Sequence, residues 1–124
     1  MFNILKQTEL RSPLSSKKLE EIKNKILGKK YELSVVLLNN NESKKINKKT
    51  RNKNYPANVL SFPLEKTVGE IFLDLETKEE APKFKMNYKK YLTYLFIHGC
   101  LHLKGFDHGN KMEKLEEKYL KLLY

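Results

Sequence analysis

Every histidine of the chain falls in one run, HGCLHLKGFDH, from His98 to His108. Near neutral pH an imidazole is mostly uncharged and keeps one free lone pair, which makes it the commonest protein ligand for transition metals. His98 and His102 are four residues apart. On a helix that spacing sets them about 6 Å apart along the axis and about 40° apart around it, so both can reach one ion. Gly105 then lets the chain reverse, and His108 arrives three residues later, where it can close the set from a loop. Three nitrogen donors plus a water leave an open position, the arrangement of a catalytic zinc and not of a closed structural site. Three imidazoles suit zinc. The expectation is one Zn²⁺ held by His98, His102, His108 and a water.

The spacing H-x-x-x-H-x-x-G-x-x-H is also that of the metzincin zinc peptidases. In those motifs the first histidine is followed by a glutamate, the base that takes a proton from water. Here that position is Gly99. The spacing argues for a hydrolytic metal, and the glycine argues against proteolysis. Asp107 has two readings that the sequence leaves open: a carboxylate that orients a ligand imidazole from behind, or a turn aspartate bonded to its own backbone. Cys100 lies two residues from both helical histidines and so faces away from them, into the core.

A second stretch with chemical potential is basic. Lys44, Lys45, Lys48, Lys49, Arg51 and Lys53 crowd into one segment. Lys44 and Lys48 share a helical face, as do Lys45 and Lys49, and such a ridge can follow a phosphate backbone. A solvated surface helix is the competing account for any single lysine. Arg51 is one of only two arginines, against 23 lysines. Its planar fork can hold a phosphate through two hydrogen bonds, which lysine cannot do.

The elements that must carry these residues can be read from pattern. Leu14, Leu19, Ile22, Ile26 and Leu27 recur at helical spacing, with Ser15 or Ser16 as cap and Gly28 as stop. Phe2–Leu5 reads as an edge strand, and ELSVVLL (Glu32–Leu38) as a buried one. The basic segment Glu42–Asn52 reads as a helix anchored mainly by Ile46. Asn58–Phe62 and Val68–Leu73 read as two short strands separated by Pro63 and a turn near Lys66–Thr67. Thr77–Lys85 is ambiguous, because Pro82 limits any helix there. YKKYLTYLFIHGCLHL (Tyr88–Leu103) is apolar almost all round, as a buried helix is. Asn87 can cap it, and Gly105 can end it. Met112 to Leu123 completes a last amphipathic helix. The predicted fold class is α+β: a small mixed four-stranded sheet packed against several helices, one of them the buried metal-binding helix.

The totals agree with one domain over residues 1–124. The chain is 40% hydrophobic and 32% charged, with a formal net charge of +10. No apolar run reaches membrane-spanning length. The opening MFNILKQTEL shows no basic leader followed by a hydrophobic stretch, so a cytoplasmic protein is expected. The single cysteine excludes an internal disulfide and a cysteine-rich zinc site. A basic balance of this size makes nucleic acid the first partner to consider, although a lysine-rich proteome would produce the same excess.

At this point the motifs resemble a known family. HGCLHLKGFDH is similar to the H-G-x-L-H-L-x-G-[YF]-D-H signature of the YbeY-type endoribonucleases, bacterial rRNA maturation factors. INKKTRNKNYPANVLSFP resembles that family's second signature, and VGEIFLD its following strand. The resemblance covers about Val35 to His108. It implies a zinc-dependent nuclease acting on single-stranded RNA, linked to 3′-end maturation of small-subunit (16S) rRNA, to the small ribosomal subunit and to late ribosome quality control. It maps the zinc ligands to His98, His102 and His108 and the functional arginine to Arg51. The chain departs from the pattern at Ala57-Asn58, where Thr-Asp is usual, at Glu70, where aspartate is usual, and at Thr50, where an aromatic is common. On this reading Arg51 stabilises charge on the scissile phosphate, and Lys44, Lys45, Lys48 and Lys49 guide the RNA backbone. Glu70 is a candidate catalytic base if its strand ends near the metal, and a substrate 2′-hydroxyl is the alternative nucleophile. The rival function is a non-catalytic ribosome-assembly or RNA-binding factor with a structural metal.

Overall fold

The computed structural model describes residues 1–124. The elements run β1 (Phe2–Lys6), α1 (Ser16–Leu27), β2 (Glu32–Leu38), α2 (Asn40–Arg51), β3 (Val59–Glu65), β4 (Val68–Asp74), a 3-10 turn (Ala81–Phe84), α3 (Tyr88–Leu103) and α4 (Asn110–Leu123). The four strands form one sheet in the order β1-β2-β4-β3. β1 pairs parallel to β2, β2 parallel to β4, and β3 antiparallel to β4. This is the mixed α+β sheet expected from the sequence.

Local chemistry explains the boundaries. Ser15, Asn39 and Asn87 each accept a hydrogen bond from the backbone N–H three residues on, at 3.1, 2.9 and 2.8 Å. Each such cap satisfies an orphaned helix donor and is worth about 1 kcal/mol. Gly28 (φ +91°) and Gly105 (φ +108°) take backbone angles that side chains resist, and they end α1 and the α3 segment. Pro63 does not separate two strands, as the sequence suggested. It lies inside β3, opposite Gly69, next to an irregularity in register. β3 is an edge strand, where a missing N–H breaks no central ladder.

The sheet has two different faces. Leu33, Val35, Leu37, Ile71 and Leu73 point to one side and join α1, α3 and α4 in a continuous core of 21 buried residues. The other strand parity carries Val36, Leu38 and Leu60, which are buried outside that cluster. This second face is covered by α2. The expected anchor of α2, Ile46, is only partly buried; the buried residues are Ser43 and Asn47. The Ser43 hydroxyl donates to the Ala57 carbonyl and accepts from the Ala57 N–H. The Asn47 amide donates to the Tyr55 carbonyl at 2.8 Å. Helix α2 is therefore seated through hydrogen bonds to the loop that leads into β3. No helix is long and apolar enough to cross a membrane.

Candidate metal centre

α3 positions the histidines because its opposite side is fixed. Tyr91, Leu92, Phe96, Ile97, Cys100 and Leu101 are all at most 1% exposed. Cys100 is thus a core residue, and burial pushes its thiol far above its ordinary value. Gly99 marks the closest approach of the helix to the sheet. A Cβ there would stand 3.1 Å from Ser61 Oγ, 3.2 Å from Ile71 Cδ1 and 3.3 Å from Val59 Cγ2. Ser61 also donates a hydrogen bond to the Gly99 carbonyl at 3.0 Å. The glycine that replaces a peptidase's glutamate is therefore the seat of α3 on β3 and β4, and a longer side chain there would be driven into the sheet.

On the exposed side of α3, His98 and His102 are joined by His108 from the loop before α4. Their ring centroids lie 4.5, 5.3 and 5.0 Å apart, and one nitrogen of each falls within 4.8 Å of the others. The hydrogen bonds behind the rings decide what they can hold. His98 Nδ1 bonds the Glu116 carboxylate, and His102 Nδ1 bonds the Phe106 carbonyl at 2.9 Å. An ionised carboxylate and a carbonyl only accept, so each Nδ1 carries the proton. Both Nε2 atoms then present lone pairs, and they face each other at 3.0 Å. Two facing lone pairs repel unless a cation lies between them. This donor set fits a metal ion, and the partners behind the rings are those that orient metal-binding imidazoles. Burial, and next the neighbouring His98, lower the pKa of His102, which favours the neutral ligand form.

The carboxylate behind the ring is Glu116, a residue the sequence reading missed. It comes from α4 and is 6% exposed. One signal existed: Glu116 occupies a place in the Met112–Leu120–Leu123 stripe where an apolar residue belongs. Asp107, the sequence candidate for that role, is exposed and makes no hydrogen bond to the three imidazoles. Its charge acts on His102 only as a minor influence.

The histidines open into a groove of about 580 Å³, lined also by Arg51 and by residues 57–63. Arg51 is the last residue of α2, exposed and without an ion-pair partner. It thus faces the same space as the histidines from the other layer of the fold. Asn58, where the family pattern has an aspartate, donates to the Tyr91 hydroxyl at 2.9 Å, and its backbone carbonyl accepts the Asp74 N–H. Glu70 is not brought to the site. It shares a strand parity with Phe72, opposite to Ile71 and Leu73 that face α3, and it does not line the groove. Lys44, Lys45, Lys48 and Lys49 are exposed along α2, away from the histidines but on the helix that ends at Arg51.

Comparison with known proteins agrees with this geometry. The family described as Endoribonuclease YbeY matches residues 4–123. Curated relatives named Endoribonuclease YbeY include those of Colwellia psychrerythraea, 39% identical over 74% of this chain and 64% of its own length, and Malacoplasma penetrans, 43% identical over 76% of this chain and 65% of its own length. The alignments thus span less than two thirds of these two relatives, whereas that with the Petrotoga mobilis relative, 34% identical, covers 94% of this chain and 87% of the other. A solution structure of a Thermotoga maritima protein superposes with a TM-score of 0.69 at 32% identity, covering 99% of this chain and 89% of that one. With the family model matched over residues 4–123 and a relative aligned over 94% of the chain, the chain belongs to the YbeY endoribonuclease family.

Proposed function

We propose that this protein is a zinc-dependent endoribonuclease that cuts single-stranded RNA in the cytoplasm, acting in rRNA processing at the small ribosomal subunit, including 3′-end maturation of its 16S rRNA. The observation that carries the reading is the pair of Nε2 lone pairs facing each other at 3.0 Å in a groove that Arg51 also lines. His98, His102 and His108 would hold the ion. A bound zinc supplies polarisation of a phosphoryl oxygen and acidification of water. The chain's own residues do the rest. Glu116 and the Phe106 carbonyl hold the two α3 imidazoles in the tautomer that offers Nε2. Arg51, unpaired in the groove, meets the charge that develops on the scissile phosphate with a planar two-pronged donor. No carboxylate lines the groove to act as base, and either water or a substrate 2′-hydroxyl would be the nucleophile.

The test is elemental analysis and cleavage of single-stranded RNA by wild-type, His102→Ala and Arg51→Ala protein, with and without chelator. Wild-type protein should carry one equivalent of zinc and cut. His102→Ala should lose both the metal and the cutting, while Arg51→Ala keeps the metal and loses roughly 100-fold or more in kcat, as when an oxyanion donor is removed. Cleavage that survives in His102→Ala or in chelator would overturn the proposal.

A further inference from the structure

One large apolar side chain beside the metal centre has no role in the fold described so far. Phe84 ends the 3-10 turn and is 48% exposed. One side of its ring is held: it packs on Tyr91 at 5.1 Å and on Tyr94 at 5.9 Å, tilted by 32° and 36°. Tyr91 and Tyr94 are themselves stacked at 6.2 Å. Tyr91 is fully buried and is pinned by the Asn58 amide. Tyr94 lies one turn before His98 on α3, with ring centroids 6.2 Å apart. A continuous aromatic path therefore leads from the metal ligand His98 to a half-exposed phenyl ring.

The flanks of that ring carry charge. Lys83 and Lys85 are exposed on either side of Phe84, giving the surface sequence Lys-Phe-Lys; Lys83 also pairs with Glu80 at 3.0 Å, an exposed ion pair of small net strength that a phosphate can replace. Pro82 fixes the start of the turn. Lys85 closes it in the left-handed region (φ +56°), with its N–H directed to the Ala81 and Pro82 carbonyls. A non-glycine residue in that region is uncommon and costs energy. The turn thus presents the phenyl ring in one orientation at little further entropic cost on binding. A rigid exposed ring between cations is the combination by which single-stranded nucleic acids are held, the bases stacking on the ring and the phosphates meeting the lysines.

We infer that Phe84 is a base-stacking platform for single-stranded RNA, set between Lys83 and Lys85 and engaging the strand as it leaves the metal groove. This rests on the reading of the groove as an RNA site. A stacked strand advances about 3.4 Å per nucleotide, so two ring-to-ring steps from His98 place the platform within about four nucleotides of the scissile phosphate. Stacking has no hydrogen-bond code, so the platform adds affinity for unpaired strands without choosing a sequence. A duplex, whose bases are already stacked on one another, gains nothing from it.

The chain contains no tryptophan, so Phe84→Trp installs a single reporter. Titrating this variant with a short 2′-O-methyl single strand should quench its fluorescence, and the same strand annealed to its complement should not. In cleavage assays Phe84→Ala should raise KM roughly 10-fold with kcat within twofold, Phe84→Tyr should behave as wild type, and Phe84→Leu should resemble alanine. Replacing the bases near the cut by abasic residues should weaken binding to wild type and leave Phe84→Ala unchanged. No quenching of Phe84→Trp by the single strand, or a Phe84→Leu that binds as well as wild type, would overturn the platform. Quenching of Phe84→Trp by the single strand, with wild-type protein that never cuts RNA, would instead retire the nuclease reading and leave the platform standing.

Discussion

The two faces of the sheet are built by different means. On one, α3 is sealed by apolar packing: Phe96, Ile97, Cys100 and Leu101 are at most 1% exposed, and Gly99 lies almost in contact with Val59, Ser61 and Ile71. On the other, α2 is seated by the polar residues Ser43 and Asn47, and polar atoms there are left without partners, Asn47 Oδ1 and Asp74 Oδ2 among them. Two of the three proposed metal ligands, His98 and His102, ride on the first helix, and Arg51 and the lysines on the second. Close packing fixes position to a fraction of an ångström, which three ligands on one ion require. A polar seat fixes its helix by hydrogen-bond direction instead, through Ser43 and Asn47 to the backbone of Ala57 and Tyr55.

The largest expected effect breaks the dry side. Gly99→Val adds methyl groups where even a Cβ is crowded by three side chains. Overpacking of this kind costs about 2–3 kcal/mol, and because the seat carries the ligands, zinc affinity should fall with stability. Thermal unfolding and metal titration read both. A variant that melts and binds zinc like wild type would show that α3 is not close-packed at this point.

Next comes the link between that packing and the metal. Glu116→Gln keeps the size of the side chain and removes the charge behind His98. Loss of such a partner lowers metal affinity about 10- to 100-fold, so competition with a chromophoric chelator should show that drop with little change in melting temperature. Asp107→Asn is the control, since Asp107 makes no hydrogen bond to the imidazoles; it should stay within about twofold, inside the usual ±0.5 kcal/mol of a surface change.

On the polar side the expected sign reverses. Asp74 is fully buried, and burial raises its carboxyl from 3.8 to about 6 despite the hydrogen bond it accepts from the Glu76 N–H. Between about pH 4 and pH 6 the folded chain therefore binds more protons than the unfolded one. The favourable contribution of the protonated group is complete below about pH 4, and it is lost as pH rises through about 6. Asp74→Asn removes that loss. It should stabilise the protein at pH 7 by about 3 kcal/mol and change little at pH 4, read from urea unfolding at the two values. An equal effect at both would mean that the charge is not the cause.

How much of this was legible in the sequence follows the same division. The three histidines could be read because their geometry is local: a four-residue spacing and one glycine suffice. Gly99 could be read as an absent base but not as a packing contact, since nothing near it in sequence names β3 and β4 as its neighbours. Glu116 lies 18 residues from His98, and only the fold brings them together. Glu70 lies outside the groove, on the strand parity opposite to Ile71 and Leu73, an alternation that the sequence already contains. Ile46 was expected to anchor α2 because hydropathy cannot recognise Ser43 and Asn47, whose burial depends on the loop carbonyls they meet. Apolar packing leaves a periodic trace in a sequence; a hydrogen-bonded seat leaves almost none.

The smallest expected effect separates the lysine ridge from Arg51, its neighbour on α2. Lys45 and Lys49 are exposed, and Lys45 has only a 3.4 Å surface pairing with Glu42. Such a pair is worth about 0–1 kcal/mol, so replacing both lysines by glutamine should leave folding and zinc binding unchanged. If each meets one RNA phosphate, the slope of log K against log salt should fall by about 0.7 per lysine, the value for single strands. Cleavage at saturating RNA should be unaffected, because neither side chain lines the groove. A lowered kcat would place the ridge in the reacting groove with Arg51, and an unchanged salt slope would return it to an ordinary solvated helix face. In either case the split between an apolar metal side and a polar strand-binding side would have to be redrawn at Arg51 itself.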